Sequence, residues 1–164
     1  MACLDRVTGL LDDKGLPYAI LPHREAFTAQ EVAHATHSTG WKLAKVVVVR
    51  EGLRDYFMAV LPASAHLDFG ILRRVTGRKE LGLATEDELR RLFPDCDAGA
   101  MPPFGALYGL PMYLDGCFRS SKEIYFQAGN HRELVRMRFA DYERMAGPIA
   151  GEFCLHESLI EAQH

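Results

Sequence analysis

The sequence predicts an α+β (mixed α/β) fold: one domain in which helices flank a mixed, mainly antiparallel sheet. Three observations carry this. Segments of helical and of strand periodicity interleave along the chain, the pattern of proteins that layer helices on a sheet. Several consecutive strands are separated by connections too short to hold the crossover that parallel neighbours require. The 164 residues, 48% hydrophobic and 25% charged, contain no linker, repeat or low-complexity tract, so a single core spanning 1–164 is expected.

Taken in order, "ACLDRVTGLLDDKG" places apolar residues at helical spacing and stops at Gly15, and "PYAIL" follows as a short strand. "AFTAQEVAHATH" opens on Thr28 as an N-cap with Glu31 three residues later, a capping-box pattern. "KVVVVR" and "YFMAVLPA" read as two strands joined by the turn "EGLRD", the first apolar on both faces and therefore buried on both. "HLDFGILRRVTG" reads as a helix. "TEDELRRLF" reads as another, with a second capping box and acidic residues in its first turn, where they suit the helix dipole. "PDCDAGAMPPFGALYGLP" has too many glycines and prolines for either periodicity. "MYLDGCF", "EIYFQAG" and "LVRMRF" are strands, and "ADYERMAG" starts a last helix. No element is assigned to the tail "EFCLHESLIEAQH".

The formal charge of −3 argues against a general nucleic-acid or anionic-membrane binder, whose affinity rests on excess Lys and Arg. Cys3, Cys96, Cys117 and Cys154 show no CxxC spacing, so neither a zinc knuckle nor a disulfide framework is signalled. No apolar run approaches a membrane span, and "MACLDRVTGLLDDKG" lacks the pattern of a signal peptide, so a reduced, cytoplasmic protein is expected.

Candidate chemistry is sparse. Glu31, His34 and His37 share a helical face, but one Glu-x-x-His is half of a di-iron pattern, which needs a full ligand set with further glutamates from a helix bundle, so no metal is expected. The glycines of "PPFGALYG" match neither phosphate-loop nor dinucleotide spacing, and no G-x-S-x-G elbow or cysteine signature marks a nucleophile. Hydrolysis by this chain would need water. Two features remain. Lys45 begins a buried strand, either to carry its ammonium back to the surface or to aim a fixed charge into a cleft. "GAMPPFGALYGLP" combines prolines, which fix φ, with glycines, which allow close backbone approach. Such a loop is either a structural turn or a stiff rim whose N–H groups receive a carbonyl or an oxyanion.

"AKVVVVR", "GAMPPFG", "PMYLD" and "IYFQAGNHRELVRM", in that order and spacing, resemble the YbaK family, free-standing aminoacyl-tRNA deacylases related to the editing insertion of prolyl-tRNA synthetase. The resemblance runs from about His23 to Tyr142 and implies a barrel-like form of the sheet. It implies that Lys45 holds the terminal adenosine end of the substrate, and that Gly99 and Pro103 belong to the G-x-x-x-P loop that places the attacking water. It matches Asp115 and Gly129 to the family's substrate-binding positions and His131 to a histidine that shapes the amino-acid pocket. Met101, Phe104 and Tyr108 are our candidates, with His131, for the wall of that pocket, and Gly105 is a further substrate-binding candidate. Where many relatives have Thr or Asn after the lysine, this chain has Val46, so the alanine specificity that accompanies Asn does not carry over.

The implied activity is trans-editing: hydrolysis of the ester of a misacylated tRNA at its terminal adenosine, without cofactor, with tRNA and an aminoacyl-tRNA synthetase as partners. Editing answers a physical limit, since a synthetase pocket separates amino acids differing by one methylene by only about 1–3 kcal/mol. A catalytically silent tRNA- or synthetase-binding module is the alternative, and a hydrolase of another small activated ester is a third reading. Basic groups in "RRVTGRK", at Arg90 and Arg91, and in "NHRELVRMRF" are either solvated faces or a tRNA contact.

Overall fold

The structure, a computed structural model, describes residues 2–22 and 41–156. The helix expected over residues 26–37, with Thr28, Glu31, His34 and His37, lies outside them, as does the tail beyond His156. The described chain runs α1 (Cys3–Asp13), β1 (Tyr18–Pro22), β2 (Trp41–Glu51), β3 (Asp55–Pro62), β4 (Ala65–Leu67), α2 (Phe69–Thr76), β5 (Leu81–Leu83) and α3 (Glu86–Leu92). It continues through a 3₁₀ turn (Gly105–Tyr108), β6 (Met112–Asp115), a second 3₁₀ turn (Gly116–Ser120), β7 (Glu123–Gln127), β8 (Glu133–Arg138), α4 (Phe139–Ala146), β9 (Ile149–Gly151) and β10 (Cys154–His156).

The main sheet has eight strands in the order β1-β8-β7-β2-β3-β6-β9, with β5 also on β2, and β10 pairs with β4 in a separate ribbon. Pairs β1–β8, β7–β8, β2–β3, β2–β5 and β4–β10 are antiparallel, while β2–β7, β3–β6 and β6–β9 are parallel. The sheet is thus mixed and mainly antiparallel, as expected. The barrel-like form is not realised as a closed sheet: the path ends at β1 and β9, and among the described residues no pairing joins them.

β2 organises the molecule. One edge pairs along its length with β3, from Ala44↔Pro62 to Glu51↔Asp55. The other edge pairs first with β7, at residues 41–43, and last with β5, at residues 49–51. Between them, among the described residues, no strand pairs residues 44–47 on that edge. β2 and β7 therefore part company just where Lys45 stands.

The valine run is buried because each face of β2 has its own core. Ala44, Val46 and Val48 pack in the larger one with Met58, Val60, Met112 and Leu114, with Cys3, Val7 and Leu11 of α1, and with an aromatic group of Phe104, Phe126 and Tyr142. Val47 and Val49 pack in the smaller one with Phe57, Ala59, Leu61, Ala65, Leu72, Tyr113 and Phe153.

The α3 capping box forms as expected: the Thr85 side chain accepts from the Glu88 N–H, and the Glu88 side chain accepts from the Thr85 N–H. The segment "HLDFGILRRVTG" splits. Asp68 caps α2 by accepting the Ile71 N–H at 2.8 Å, so the helix begins only at Phe69, and the preceding residues join β10 as β4. Likewise "MYLDGCF" leaves the sheet at Asp115, whose side chain caps the following 3₁₀ turn.

Candidate active site

Alternation along β2 assigns Lys45 its face. Leu43, Lys45, Val47 and Val49 project to one side, and Ala44, Val46 and Val48 to the other. Lys45 is opposite Leu61 in register, is partly buried, and donates from Nζ to the Ala65 carbonyl at 2.7 Å. The ammonium is therefore held over the smaller core's end of the sheet. Val46 turns the other way, into the larger core.

On the neighbouring strand, Tyr125 is paired with Leu43, and the two pack together, so Gln127 shares the face of Lys45. Gln127 Nε2 lies 3.3 Å from His131 Nδ1, and His131 Nε2 lies 2.9 Å from the Ala98 carbonyl oxygen. With the Gln127 amide donating to Nδ1, the ring carries its proton on Nε2 and donates it to Ala98. A Cβ added at Gly99 would stand 3.7 Å from His131 Cε1. His131 is thus the strut between the end of β7 and the root of the Gly-Pro loop.

The loop itself is tied to the turn after β7. Gly129 donates to the Ala100 carbonyl at 2.7 Å and accepts the Asp97 N–H at 2.8 Å. Gly129 has φ +98, and a Cβ there would run into Cys3 of α1, so only glycine lets helix, turn and loop meet. Pro102 and Pro103 have no N–H, and the N–H groups of Asp97, Ala100 and Phe104 bond to carbonyls nearby. Those of Ala98, Gly99 and Met101 have no partner among the described residues. The Pro103 carbonyl accepts the Tyr142 hydroxyl at 2.8 Å, and burial pushes that phenol's pKa up.

Asp115 is 2% exposed. Its Oδ2 accepts the Cys117 N–H and its Oδ1 the Phe153 N–H, each at 2.9 Å, so it fastens the chain after β9 to the end of β6. Val60 pairs with Leu114, which sets Leu61 beside Asp115, so the row across the sheet runs Lys45, Leu61, Asp115, Gly151. Lys45 and Asp115 share a face two strands apart, roughly 10 Å between backbones.

The structure thus groups Lys45 and Asp115 on one face, and Gly99, Gly129 and His131 at the loop root beside Gln127, which the sequence reading missed. As the one polar residue at the exit of "EIYFQ", on the face of Tyr125, Gln127 carried a signal only once β7 was aligned with β2. The remaining pocket-wall candidates turn elsewhere. Phe104 is 2% exposed, edge-on to Phe126 and Tyr142 at 5.4 Å each, and Met101 is 5% exposed in the same core. Gly105 lies where a Cβ would collide with the Leu110 carbonyl. These three belong to the packing on the far side of β2, because the loop from Ala100 to Gly105 is buried as a continuous run against the core that α4 covers. Tyr108 is hydrogen-bonded among Cys3, Cys96 and Asp95, beside α1.

A surface groove of about 820 Å³ is lined by Glu51–Asp55 and Gly77–Glu80 at the β2–β3 turn. It is roughly 20 Å along β2 from Lys45 and presents charges of both signs.

The model of the "Aminoacyl-tRNA editing domain" family matches residues 23–145. The chain is 28% identical over 147 residues, 87% of each protein, to the Multifunctional Ser/Thr-tRNA deacylase ProXp-y of Escherichia coli K12. A crystal structure described as a candidate trans-editing enzyme for prolyl tRNA synthetase superposes with a TM-score of 0.76 at 27% identity, covering 93% of this chain and 97% of that one. The crystal structure of a hypothetical protein, 18% identical with a TM-score of 0.76 over 91% of this chain and 99% of that one, shares the fold. With three quarters of its length inside that model, the chain belongs to the aminoacyl-tRNA editing domain family.

Proposed function

We propose that the chain edits in trans on the sheet face that carries Lys45, with the loop of Gly99 to Pro103 as the rim of the site. The activity, hydrolysis of the aminoacyl ester of a misacylated tRNA, follows from the family and from its deacylase relatives. The placement rests on one observation: Lys45 projects on the face of Gln127, which reaches the loop root through His131 and Ala98.

An aminoacyl-tRNA is an activated ester, so no strong nucleophile is needed. The oxygen of a water attacks the ester carbonyl carbon, negative charge builds on the carbonyl oxygen, and the bond to the ribose oxygen breaks as that oxygen takes up a proton. The Lys45 ammonium is the charge that holds a phosphate or ester oxygen of the terminal adenosine. The Ala98, Gly99 and Met101 N–H groups are the donors available to the oxyanion and the water. Gly129 and His131 set the loop's position, and Pro103 stiffens it. Asp115 fixes the floor of the site. Met101, Phe104, Gly105 and Tyr108 act through the shape of the loop.

The E. coli relative's name makes Ser- and Thr-tRNA the first substrates to try. Prolyl-tRNA synthetase is the partner that the solved relative suggests. The test is single-turnover deacylation of Ser- and Thr-charged tRNA by Lys45→Ala. A loss of about a hundredfold to a thousandfold, with an unchanged circular dichroism spectrum, is expected. Turnover equal to that of the unaltered protein removes Lys45 from the mechanism. Binding of tRNA without release of any amino acid across a panel of misacylated tRNAs would leave the silent-module reading in its place.

A further inference from the structure

We infer that Cys3, Asp95, Cys96 and Tyr108 form a tetrahedral site for a thiophilic divalent cation, zinc by its chemistry, at the seam between α1 and the root of the Gly-Pro loop. The donor atoms of Cys3, Asp95 and Cys96 all lie within 4.8 Å of one another. The Tyr108 hydroxyl oxygen is 3.4 Å from Cys3 Sγ, 3.2 Å from Cys96 Sγ, and 3.1 and 3.3 Å from the two Asp95 carboxylate oxygens. Cys96 Sγ is 3.6 Å from Asp95 Oδ1. A tetrahedron's edge is about 1.6 times its centre-to-vertex length, so zinc bonds of about 2.3 Å to sulfur and about 2.1 Å to oxygen require edges of roughly 3.4–3.8 Å. The separations to the Tyr108 hydroxyl and from Cys96 to Asp95 stand at or just below that range, and Cys3 Sγ lies within 4.8 Å of the other two donors.

Charge and enclosure agree with the geometry. Two thiolates and one carboxylate bring three negative charges, and a divalent ion cancels two. Arg6 supplies the third, 2.7 Å from Asp95 Oδ2 and stacked over the Tyr108 ring at 5.1 Å, while its other nitrogen is fixed by the Leu107 carbonyl at 2.9 Å. This is the outer shell that orients a ligating carboxylate. Cys3 is 1% exposed, Phe93 packs edge-on to Tyr108 at 4.6 Å, and the missing Cβ of Gly129 leaves room for the Cys3 thiol. Both cysteines ligate as thiolates, so binding the ion releases protons. A pattern search misses the site because its ligands fall at positions 3, 95, 96 and 108, without the paired spacing of zinc motifs.

The readouts are independent of deacylation, so they stand or fall apart from the editing reading. The full chain, reduced and stripped with chelator, is dialysed against zinc alone or cobalt(II) alone. One ion per chain is expected after removal of excess. The cobalt form is expected to show the intense visible bands of tetrahedral coordination and near-ultraviolet thiolate charge transfer. Cys3→Ser and Cys96→Ser each lower affinity at least tenfold and weaken the charge transfer, Tyr108→Phe lowers affinity and keeps it, and Cys117→Ser changes neither. Retention well below one ion per chain, or equal retention by the Cys3→Ser and Cys96→Ser variants, overturns the site. So does a Cys3–Cys96 disulfide that forms in air despite excess zinc, seen as a loss of two hydrogens by mass spectrometry. Should either serine variant fail to fold by circular dichroism, competition of the unaltered protein with a chromogenic chelator decides the matter.

Discussion

Asp115 is a carboxylate whose two oxygens accept two backbone N–H groups, from Cys117 and Phe153, in a nearly water-free setting. Asp115→Ala leaves both donors without an acceptor, at about 1–3 kcal/mol each. For a chain of this size each kcal/mol lowers the melting temperature by roughly 2–4 °C. Asp115→Asn keeps one acceptor and is expected to lose less. In both variants the folded protein is expected to keep its KM for aminoacyl-tRNA. A raised KM at unchanged melting temperature would instead make Asp115 a substrate contact. The residue scale is also where the sequence was least legible. That Lys45 was a special position was visible from its place before four valines, but it is not the strand's origin: β2 begins at Trp41, its first three residues pair with β7, and Lys45 is its fifth residue. Which face it shares, and with whom, depends on the β2–β7 and β3–β6 registers, which are set by residues far away in the chain. Met101 and Phe104 follow the same logic: a Gly-Pro loop does not reveal which of its side chains turns into a core.

At the scale of elements, legibility tracked local signals. The strands β2, β3 and β7 carry their own runs of β-branched and aromatic residues, β8 carries apolar Leu134, Val135 and Met137, and α3 carries its own cap. The three-residue strands β4, β5, β9 and β10 have no period to read and exist only through their partners. α3 also shows how one side chain can serve two elements. Glu88 completes the capping box and accepts from the Tyr56 hydroxyl of β3, with the Arg50 guanidinium of β2 at 3.5 Å. The Tyr56 hydroxyl first, then the Thr85 N–H, lower the Glu88 pKa to about 2 from an ordinary 4.5. A depressed folded-state pKa contributes stability above the unfolded value, and that stability is lost as pH falls from about 4.5 to about 2. Glu88→Gln should therefore be less stable than the unaltered chain at neutral pH, and the gap between their urea midpoints should narrow across that acid window. A gap that stays constant down to pH 2 would mean that the carboxylate is not the stabilising species.

For the whole molecule the question is how a chain of formal charge −3 meets a polyanion. Much of its clustered positive charge is already committed: Arg78 to Glu51, Arg90 to Glu86 and Asp87, Arg136 to Glu123, and Arg138 to Asp141. Among the described residues no carboxylate pairs with Arg73, Arg74 or Lys79, which leaves a small basic group around the end of α2. Each phosphate neutralised on a single strand steepens the dependence of log affinity on log salt by about 0.7. Two or three such contacts give a slope no steeper than about −2. With the acylated end placed near Lys45 as proposed, recognition concentrates there, and a charged acceptor-stem minihelix should be deacylated with nearly the kcat/KM of full-length tRNA. Replacing Arg73 and Arg74 together by alanine is expected to flatten the salt slope modestly and leave minihelix turnover unchanged. A steep slope with full-length tRNA that collapses in the double variant, together with poor minihelix turnover, would show instead that the body of the tRNA is gripped through α2.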